Sequence, residues 1–111
     1  MITTHVLDTA RGKPAQGVPI TLSRQREGGF DELGRGVTDA DGRLRTLLPA
    51  GHELSPGIYA LVFDTAAYFK SLAVEGFYPV AVIHFEVREK GGHYHVPLLL
   101  SPFGYSTYRG S

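Results

Sequence analysis

The sequence predicts an all-β fold: an antiparallel sandwich or barrel of short strands with one short helix. Two observations carry this prediction. Apolar and polar residues alternate with a period of two along most of the chain, and 14 glycines and 7 prolines interrupt it at short intervals. Short strands between frequent turns, without a long helical pattern, are typical of antiparallel sandwiches and barrels.

Four strands are predicted in the first half, over residues 2–7, 18–26, 30–38 and 43–48. The second is the clearest, because Val18, Ile20 and Leu22 alternate with polar partners. Gly28-Gly29 predicts the turn after it, and the acidic segment 39–42 predicts the turn before the fourth strand. That acidic segment begins like a calcium loop. Ala50 stands where the bidentate Glu belongs, however, so a plain hairpin turn is favoured.

Three strands are predicted in the second half, over residues 58–63, 80–88 and 93–100. The first of these strands is apolar at both its odd-numbered and its even-numbered positions, so we expect both of its faces to be covered. Gly91-Gly92 separates the other two and predicts a hairpin, because a tight turn needs positive φ. Residues 65–75 contain no Gly or Pro and predict the helix, with Asp64 or Thr65 as its N-cap.

Length and composition predict one domain over residues 1–111, since a chain of this size buries roughly two-thirds of its unfolded surface in one core. Eleven basic residues balance 11 acidic ones, which removes the broad attraction to nucleic acid or to anionic membranes. The absence of Cys excludes disulfides, thiolate metal sites and a cysteine nucleophile. Neither a signal peptide nor an apolar span of about 20 residues is visible, so we expect a soluble, cytoplasmic protein.

The pair His93 and His95 is the first candidate for chemistry. Residues two apart in a strand share a face, and the alternating residues on the opposite face are apolar: Tyr94, Val96, Leu98 and Leu100. The two imidazoles should therefore point away from the core. Their spacing permits a metal pair completed by a third ligand, but two plain surface histidines fit the same pattern.

His5 and Arg43 have the same property, because each alternates with core residues on its own strand. A sandwich has two outer faces, so parity alone leaves open whether His5, Arg43 and His95 meet. His52, in a loop, and His84, on a polar strand face, are expected to be solvated.

The C-terminal segment is apolar on both parities over residues 96–100, and Phe103, Tyr105 and Tyr108 follow within a few residues. Chain ends fray unless they are tied down. This segment therefore predicts docking against another subunit.

Four segments of the sequence resemble the transthyretin-related 5-hydroxyisourate hydrolases. They are Thr4-His5-Val6-Leu7-Asp8, Asp41-Gly42-Arg43, the run from His93 to Pro102, and the ending Tyr105-Ser106-Thr107-Tyr108-Arg109-Gly110-Ser111. The resemblance runs from residue 2 to residue 111. The terminal Tyr-Arg-Gly-Ser is specific to the hydrolases and is missing from transthyretin, the thyroid-hormone carrier of the same fold.

This resemblance implies a transthyretin-like antiparallel β-sandwich of seven to eight strands with one short helix. It implies a homotetramer, a dimer of dimers, with sites in a channel between the dimers. The implied reaction is the hydrolytic opening of 5-hydroxyisourate to 2-oxo-4-hydroxy-4-carboxy-5-ureidoimidazoline, with no metal or organic cofactor. The implied catalytic residues are His5, Arg43, His95 and Ser111, and the implied substrate-binding residues are His5, Arg43, Tyr108, Arg109 and Gly110.

The residue types suit this chemistry. A neutral imidazole can activate water near pH 7, and an arginine can hold carbonyl and anionic oxygens with its planar fork. Either His95 or His5 can be the base, and any contribution of His93 stays open. Two alternatives remain at this point: a transthyretin-like carrier of a small ligand, and a zinc hydrolase built on His5, His93 and His95.

Overall fold

A computed structural model describes all 111 residues, Met1–Ser111. The chain forms nine strands and one helix: β1 (Ile2–Asp8), β2 (Lys13–Pro14), β3 (Pro19–Arg26), β4 (Gly29–Val37), β5 (Arg43–Leu44), β6 (Gly57–Phe63), α1 (Thr65–Ser71), β7 (Ala81–Val87), β8 (Tyr94–Ser101) and β9 (Gly104–Thr107). The all-β prediction is confirmed. Each of the seven predicted strands has a counterpart, while β2 and β9 were missed.

The strands form two sheets that pack face to face as a sandwich. The first has the order β2-β1-β8-β9, with β5 added to the same edge of β1 as β2, and the second has the order β4-β3-β6-β7. Nineteen buried apolar residues fill the space between them, among them Val6 and Leu98 from the first sheet and Leu22 and Leu61 from the second. The period-two pattern thus sorts core-facing from outward-facing side chains as expected.

The predicted hairpin at Gly91-Gly92 is wrong. Both glycines do adopt positive φ, 74° and 84°. The strands on either side, however, belong to different sheets, because β7 pairs with β6 and β8 pairs with β1 and β9. The turn therefore carries the chain across the sandwich. The pairing of β1 with β8 is parallel, which also departs from a purely antiparallel arrangement.

The acidic segment 39–42 forms a tight turn, but the predicted hairpin there is wrong for the same reason. β4 lies in the second sheet and β5 in the first. The Asp39 carboxylate accepts hydrogen bonds from the amides of Asp41 and Arg43, at 2.9 and 3.0 Å, and Gly42 has φ 75°. This turn fixes the backbone from which Arg43 projects.

The fourth predicted strand is much shorter than residues 43–48, since only Arg43 and Leu44 pair with β1. Beyond them the chain leaves the sheet, and buried Leu47 places its carbonyl against Gly34 of β4. Leu47 thus packs toward the second sheet instead of extending the first.

The helix begins where predicted but ends at Ser71 instead of residue 75. Asp64 is the N-cap, and its carboxylate accepts a hydrogen bond from the Ala67 amide at 3.0 Å. Tyr68 and Phe69 are buried beneath the helix, and Ala73 has a positive φ of 55°, which stops further helical turns. No helix in the structure is long and apolar enough to cross a membrane.

Candidate active site

The outer face of the first sheet brings together residues from three strands. β1 lies between β5 and β8, and the register sets His5 opposite Arg43 on one side and Pro97 on the other. Two residues earlier in β1, Thr3 lies opposite His95. The neighbours Thr4, Leu44 and Val96 are buried, so the alternating side chains of Thr3, His5, Arg43 and His95 project outward.

The C-terminal tail continues this arrangement beyond β9. Leu98 pairs with Thr107, and the same antiparallel register reaches a further bridge between His95 and Gly110. There the Gly110 amide donates to the His95 carbonyl at 2.8 Å. The tail is thereby tied down, and Ser111 is carried to the outward side chains of β1 and β8.

Together these elements line a pocket of about 180 Å³, which we call the histidine pocket. Its walls are Met1, Thr3, Thr4, Arg43, Arg45, His93, His95 and Ser111. Three of the four predicted catalytic residues, Arg43, His95 and Ser111, meet here. The fourth, His5, is half-buried beside Arg43 in the sheet but does not line the pocket.

The His95 ring leaves no space for a side chain at position 110. A Cβ at this position would lie 2.5 Å from Cδ2 of His95 and 3.2 Å from its Cγ. Contacts that short do not occur, so any side chain here would displace the ring or the tail. The tail backbone therefore acts as one wall of the imidazole site.

The surroundings of His95 favour its neutral form. Burial is the main cause of the lowering of its pKa, and the positive charge of Arg43 acts in the same direction, with smaller effects from His93, His5 and Arg45. Its Nδ1 lies 2.7 Å from the Thr3 hydroxyl, and its Nε2 has no hydrogen-bond partner in the chain. The ring therefore offers a free nitrogen and little tendency to protonate near pH 7.

Neither arginine of the pocket is held in a salt bridge. The four salt bridges of the chain lie elsewhere, and neither Arg43 nor Arg45 takes part in one. Arg43 is half-buried and Arg45 is exposed. Two guanidinium groups are thus available to bind carbonyl or anionic oxygens next to a neutral imidazole.

Tyr108 and Arg109 do not enter the histidine pocket. They line a larger neighbouring cavity of about 510 Å³ between β7 and β8, and His95 forms part of both walls. The Arg109 guanidinium stacks over the Tyr94 ring at 4.8 Å. His52 and His84 are exposed, as predicted, although His84 lines this larger cavity.

Four pocket residues were not singled out from the sequence: Met1, Thr3, Thr4 and Arg45. Thr3 alternates with the same core residues as His5, and Arg45 stands two residues after Arg43, so a signal for these two was present in the sequence. Their neighbours across the sheet were not known, because the parallel pairing of β1 with β8 is not visible in local pattern.

The histidines do not form a metal ligand set. No three His, Asp or Glu side chains are grouped closely enough to hold an ion. The ring centroids of His93 and His95 are 6.4 Å apart, and the Thr3 hydroxyl lies between the rings and bonds to both. His93 Nε2 and His95 Nδ1 are therefore already hydrogen-bonded to the protein.

The sequence and fold of the chain match those of known proteins. Residues 2–110 match the model of the HIUase/transthyretin family. The chain belongs to this family. Among HIUase/transthyretin relatives, 5-hydroxyisourate hydrolase of Mus musculus is 46% identical over 112 residues, which cover 99% of this chain and 94% of the mouse protein.

Solved structures of the HIUase/transthyretin family confirm the transthyretin-like sandwich. Klebsiella pneumoniae 5-hydroxyisourate hydrolase superimposes with a TM-score of 0.83 at 40% identity, over 99% of this chain and 92% of that one. Transthyretin from Sparus aurata gives a TM-score of 0.90 at 35% identity, over 98% and 95%. Since hydrolases and transthyretins share this fold, the residues of the site must distinguish the activities.

Proposed function

We propose that residues 1–111 act as one domain that hydrolyses 5-hydroxyisourate to 2-oxo-4-hydroxy-4-carboxy-5-ureidoimidazoline, a step in urate breakdown toward allantoin. The observation that carries this proposal is the neutral, half-buried His95 beside two unpaired guanidinium groups in an open pocket. The hydrolase relatives at 40–46% identity over nearly the whole chain support the same substrate.

His95 is the general base in this proposal. Its unpartnered Nε2 takes a proton from water, and the resulting hydroxide oxygen bonds to the ring carbonyl carbon of the substrate. The carbon–nitrogen bond of that acyl group then breaks, and the imidazolium returns its proton to the leaving nitrogen. His95 is preferred to His5 because His95 lines the pocket, which His5 does not, and because the lowered pKa of His95 favours its neutral form.

The remaining residues bind and orient. Arg43 donates to the oxygen that becomes negative during water addition, an interaction of the oxyanion-hole kind. His5, beside Arg43 in the sheet, holds the substrate or the water, and Ser111 offers a hydroxyl in the same pocket. Tyr108, Arg109 and Gly110 position the flat ring from the side of the larger cavity.

The direct test is the decay of freshly prepared 5-hydroxyisourate, followed by its ultraviolet absorbance with and without the protein. We expect the protein to accelerate decay well above the spontaneous rate and to give one stereoisomer of the product, which circular dichroism detects. A decay rate equal to the spontaneous one across pH 6–8 would refute the proposal.

A small-ligand carrier is the alternative from the same family, since Sparus aurata transthyretin shares the fold. Binding sites for small apolar ligands have predominantly hydrophobic walls. Seven of the eight residues lining the histidine pocket are polar or charged, and Met1 is the apolar one. The site residues therefore favour hydrolysis.

Removal of metal is expected to leave the activity unchanged, which distinguishes the proposal from a zinc hydrolase. The imidazoles of His93 and His95 already share the Thr3 hydroxyl, and no third ligand is grouped with them. The measurement is the rate of hydroxyisourate decay after dialysis against EDTA. Loss of rate in EDTA that added Zn²⁺ restores would contradict this expectation.

We propose further that the chain assembles as a homotetramer, a dimer of dimers, with sites between the dimers. Phe77 and Phe103 are 68% and 69% exposed, and the exposed rings of Tyr78 and Tyr105 pack edge-on at 5.3 Å. The edge strands β7 and β9 each have one neighbour, which leaves their outer backbone groups unpaired.

Sedimentation equilibrium is expected to give the mass of four chains. Phe77→Asp should lower that mass, because it buries a charge at the proposed contact, whereas Gln16→Asp in an exposed loop outside that contact should not. A monomeric mass for the unmodified protein, or equal masses for both variants, would contradict the proposed assembly.

A further inference from the structure

The Thr3 side chain links two imidazoles in the histidine pocket. Its Oγ1 lies 2.9 Å from His93 Nε2 and 2.7 Å from His95 Nδ1, and the residue is only 5% exposed. A hydroxyl carries one proton, so it donates to one of these nitrogens and accepts from the other. The hydrogen atoms on the two rings are therefore not independent of each other.

Two hydrogen-bond arrangements satisfy this constraint. In the first, His95 Nδ1–H donates to Thr3 and Thr3 donates to His93 Nε2, so His95 keeps its Nε2 lone pair. In the second, His93 Nε2–H donates to Thr3 and Thr3 donates to His95 Nδ1. A neutral His95 then carries its hydrogen on Nε2, so this nitrogen has no lone pair with which to act as a base.

The first arrangement needs a neutral His93, because a protonated imidazole donates from both nitrogens and accepts at neither. Protonation of the exposed His93 thus forces the second arrangement. The proton added to His93 occupies Nε2, the Thr3 O–H turns toward His95, and the His95 proton moves through solvent from Nδ1 to Nε2. No bond between heavy atoms changes, and one proton is taken up.

We propose that Thr3 is a positioning residue through which His93 controls the tautomer of His95, so that the site works only while His93 is neutral. This inference rests on the proposed role of His95 as base. It gives a function to Thr3 and His93, which the proposed mechanism leaves without one.

Other charged groups face the two rings but do not replace this link. Arg43 lies on β5, Arg45 follows that strand, and His5 lies on β1. Arg43, His5 and Arg45 contribute to the lowered pKa of His95. None of these groups is hydrogen-bonded to both imidazoles, as the Thr3 hydroxyl is.

The kinetic test uses Thr3→Val, which keeps the shape and removes the hydroxyl. We expect kcat to fall about tenfold or more with little change in KM, since the ring loses the partner that fixes its tautomer. For the unmodified enzyme, a plot of log kcat against pH should reach a limiting slope of two at pH values below those at which histidines titrate. Each of the two inhibitory protons contributes a slope of one. The limiting slope should be one for Thr3→Val and for His93→Phe.

Two further variants serve as controls. Thr3→Ser retains the hydroxyl and should recover the slope of two and most of kcat. Thr21→Val changes a half-buried threonine of the other sheet that makes no side-chain hydrogen bond, and it should behave like the unmodified enzyme. A slope of two in Thr3→Val would overturn the proposal.

The second test does not depend on activity. Long-range ¹H–¹⁵N correlation spectra of the imidazoles distinguish the two tautomers, and they can be recorded without substrate. As His93 protonates, His95 should change from Nδ1–H to Nε2–H, and Thr3→Val should remove this coupling. An unchanged His95 tautomer would overturn the inference. If the spectra show the coupling while the unmodified protein fails to hydrolyse hydroxyisourate, the proposed function fails instead.

Discussion

Replacing His95 with Asn is expected to lower kcat for hydroxyisourate opening by about 10²–10⁴-fold, the usual contribution of a general base. Asn keeps a polar side chain of similar reach but cannot accept a proton from water. The fold should persist, because His95 points outward from β8 and the core face of that strand is unchanged. Steady-state rates corrected for spontaneous decay measure the effect.

The matched control is His52→Asn, the same substitution at an exposed loop residue that does not line the pocket, which should leave kcat unchanged. His5→Asn separates the two candidate bases. If His95→Asn retained the unmodified kcat while His5→Asn lost it, the base would be His5 and the assignment of His95 to that role would be wrong.

The proposed role of His95 as the base also predicts how the rate of the unmodified enzyme depends on pH. Burial and the neighbouring Arg43 lower the pKa of His95, so its base form persists to a lower pH than that of an ordinary histidine. One of the two inhibitory protons of the unmodified enzyme should therefore be taken up as pH falls through that lowered pKa. Arg43→Gln removes one cause of the shift and should move the His95 titration, followed by NMR, upward in pH.

Deletion of residues 109–111 is expected to lower kcat/KM by about 10²-fold, the size of loss that a displacement of about 1 Å can cause. It removes Ser111 from the pocket and the hydrogen bond from the Gly110 amide to the His95 carbonyl. The cost in stability should be small, about 1 kcal/mol for one hydrogen bond. Thermal unfolding measured beside the rates distinguishes the two effects.

Gly110→Ala tests the same wall without shortening the chain. Its methyl group would collide with the His95 ring, so kcat should fall although Ser111 and the amide of residue 110 are still present. Gly104→Ala is the control, because the added methyl there meets only Ser101 Oγ at 3.8 Å. Unmodified rates in both the deletion and Gly110→Ala would show that the tail only packs.

Much of the fold was predictable because it follows from local pattern. Alternation along residues 18–26 and 93–100 indicated two strands and their core faces, and Asp64 was identified as a candidate helix cap. The two hairpin predictions failed for a common reason. A turn such as Gly91-Gly92 is fixed by local φ, whereas the sheet that each flanking strand joins is fixed by packing with distant residues.

The sequence by itself determined which side chains avoid the core. Alternation along a strand is local, and it directs His5, Arg43 and His95 outward whatever their partners are. The terminal motif likewise carries the resemblance to the hydrolases without any coordinates.

Only the tertiary structure decided which of these side chains meet. The parallel pairing of β1 with β8 sets Thr3 beside His95, and the bridge from the tail brings Gly110 and Ser111 to the same ring. These contacts join strands from opposite ends of the chain, or the C-terminal tail to a strand. The local alternation of apolar and polar residues does not predict them. The histidine pocket and the Thr3 link therefore exist only in the folded chain.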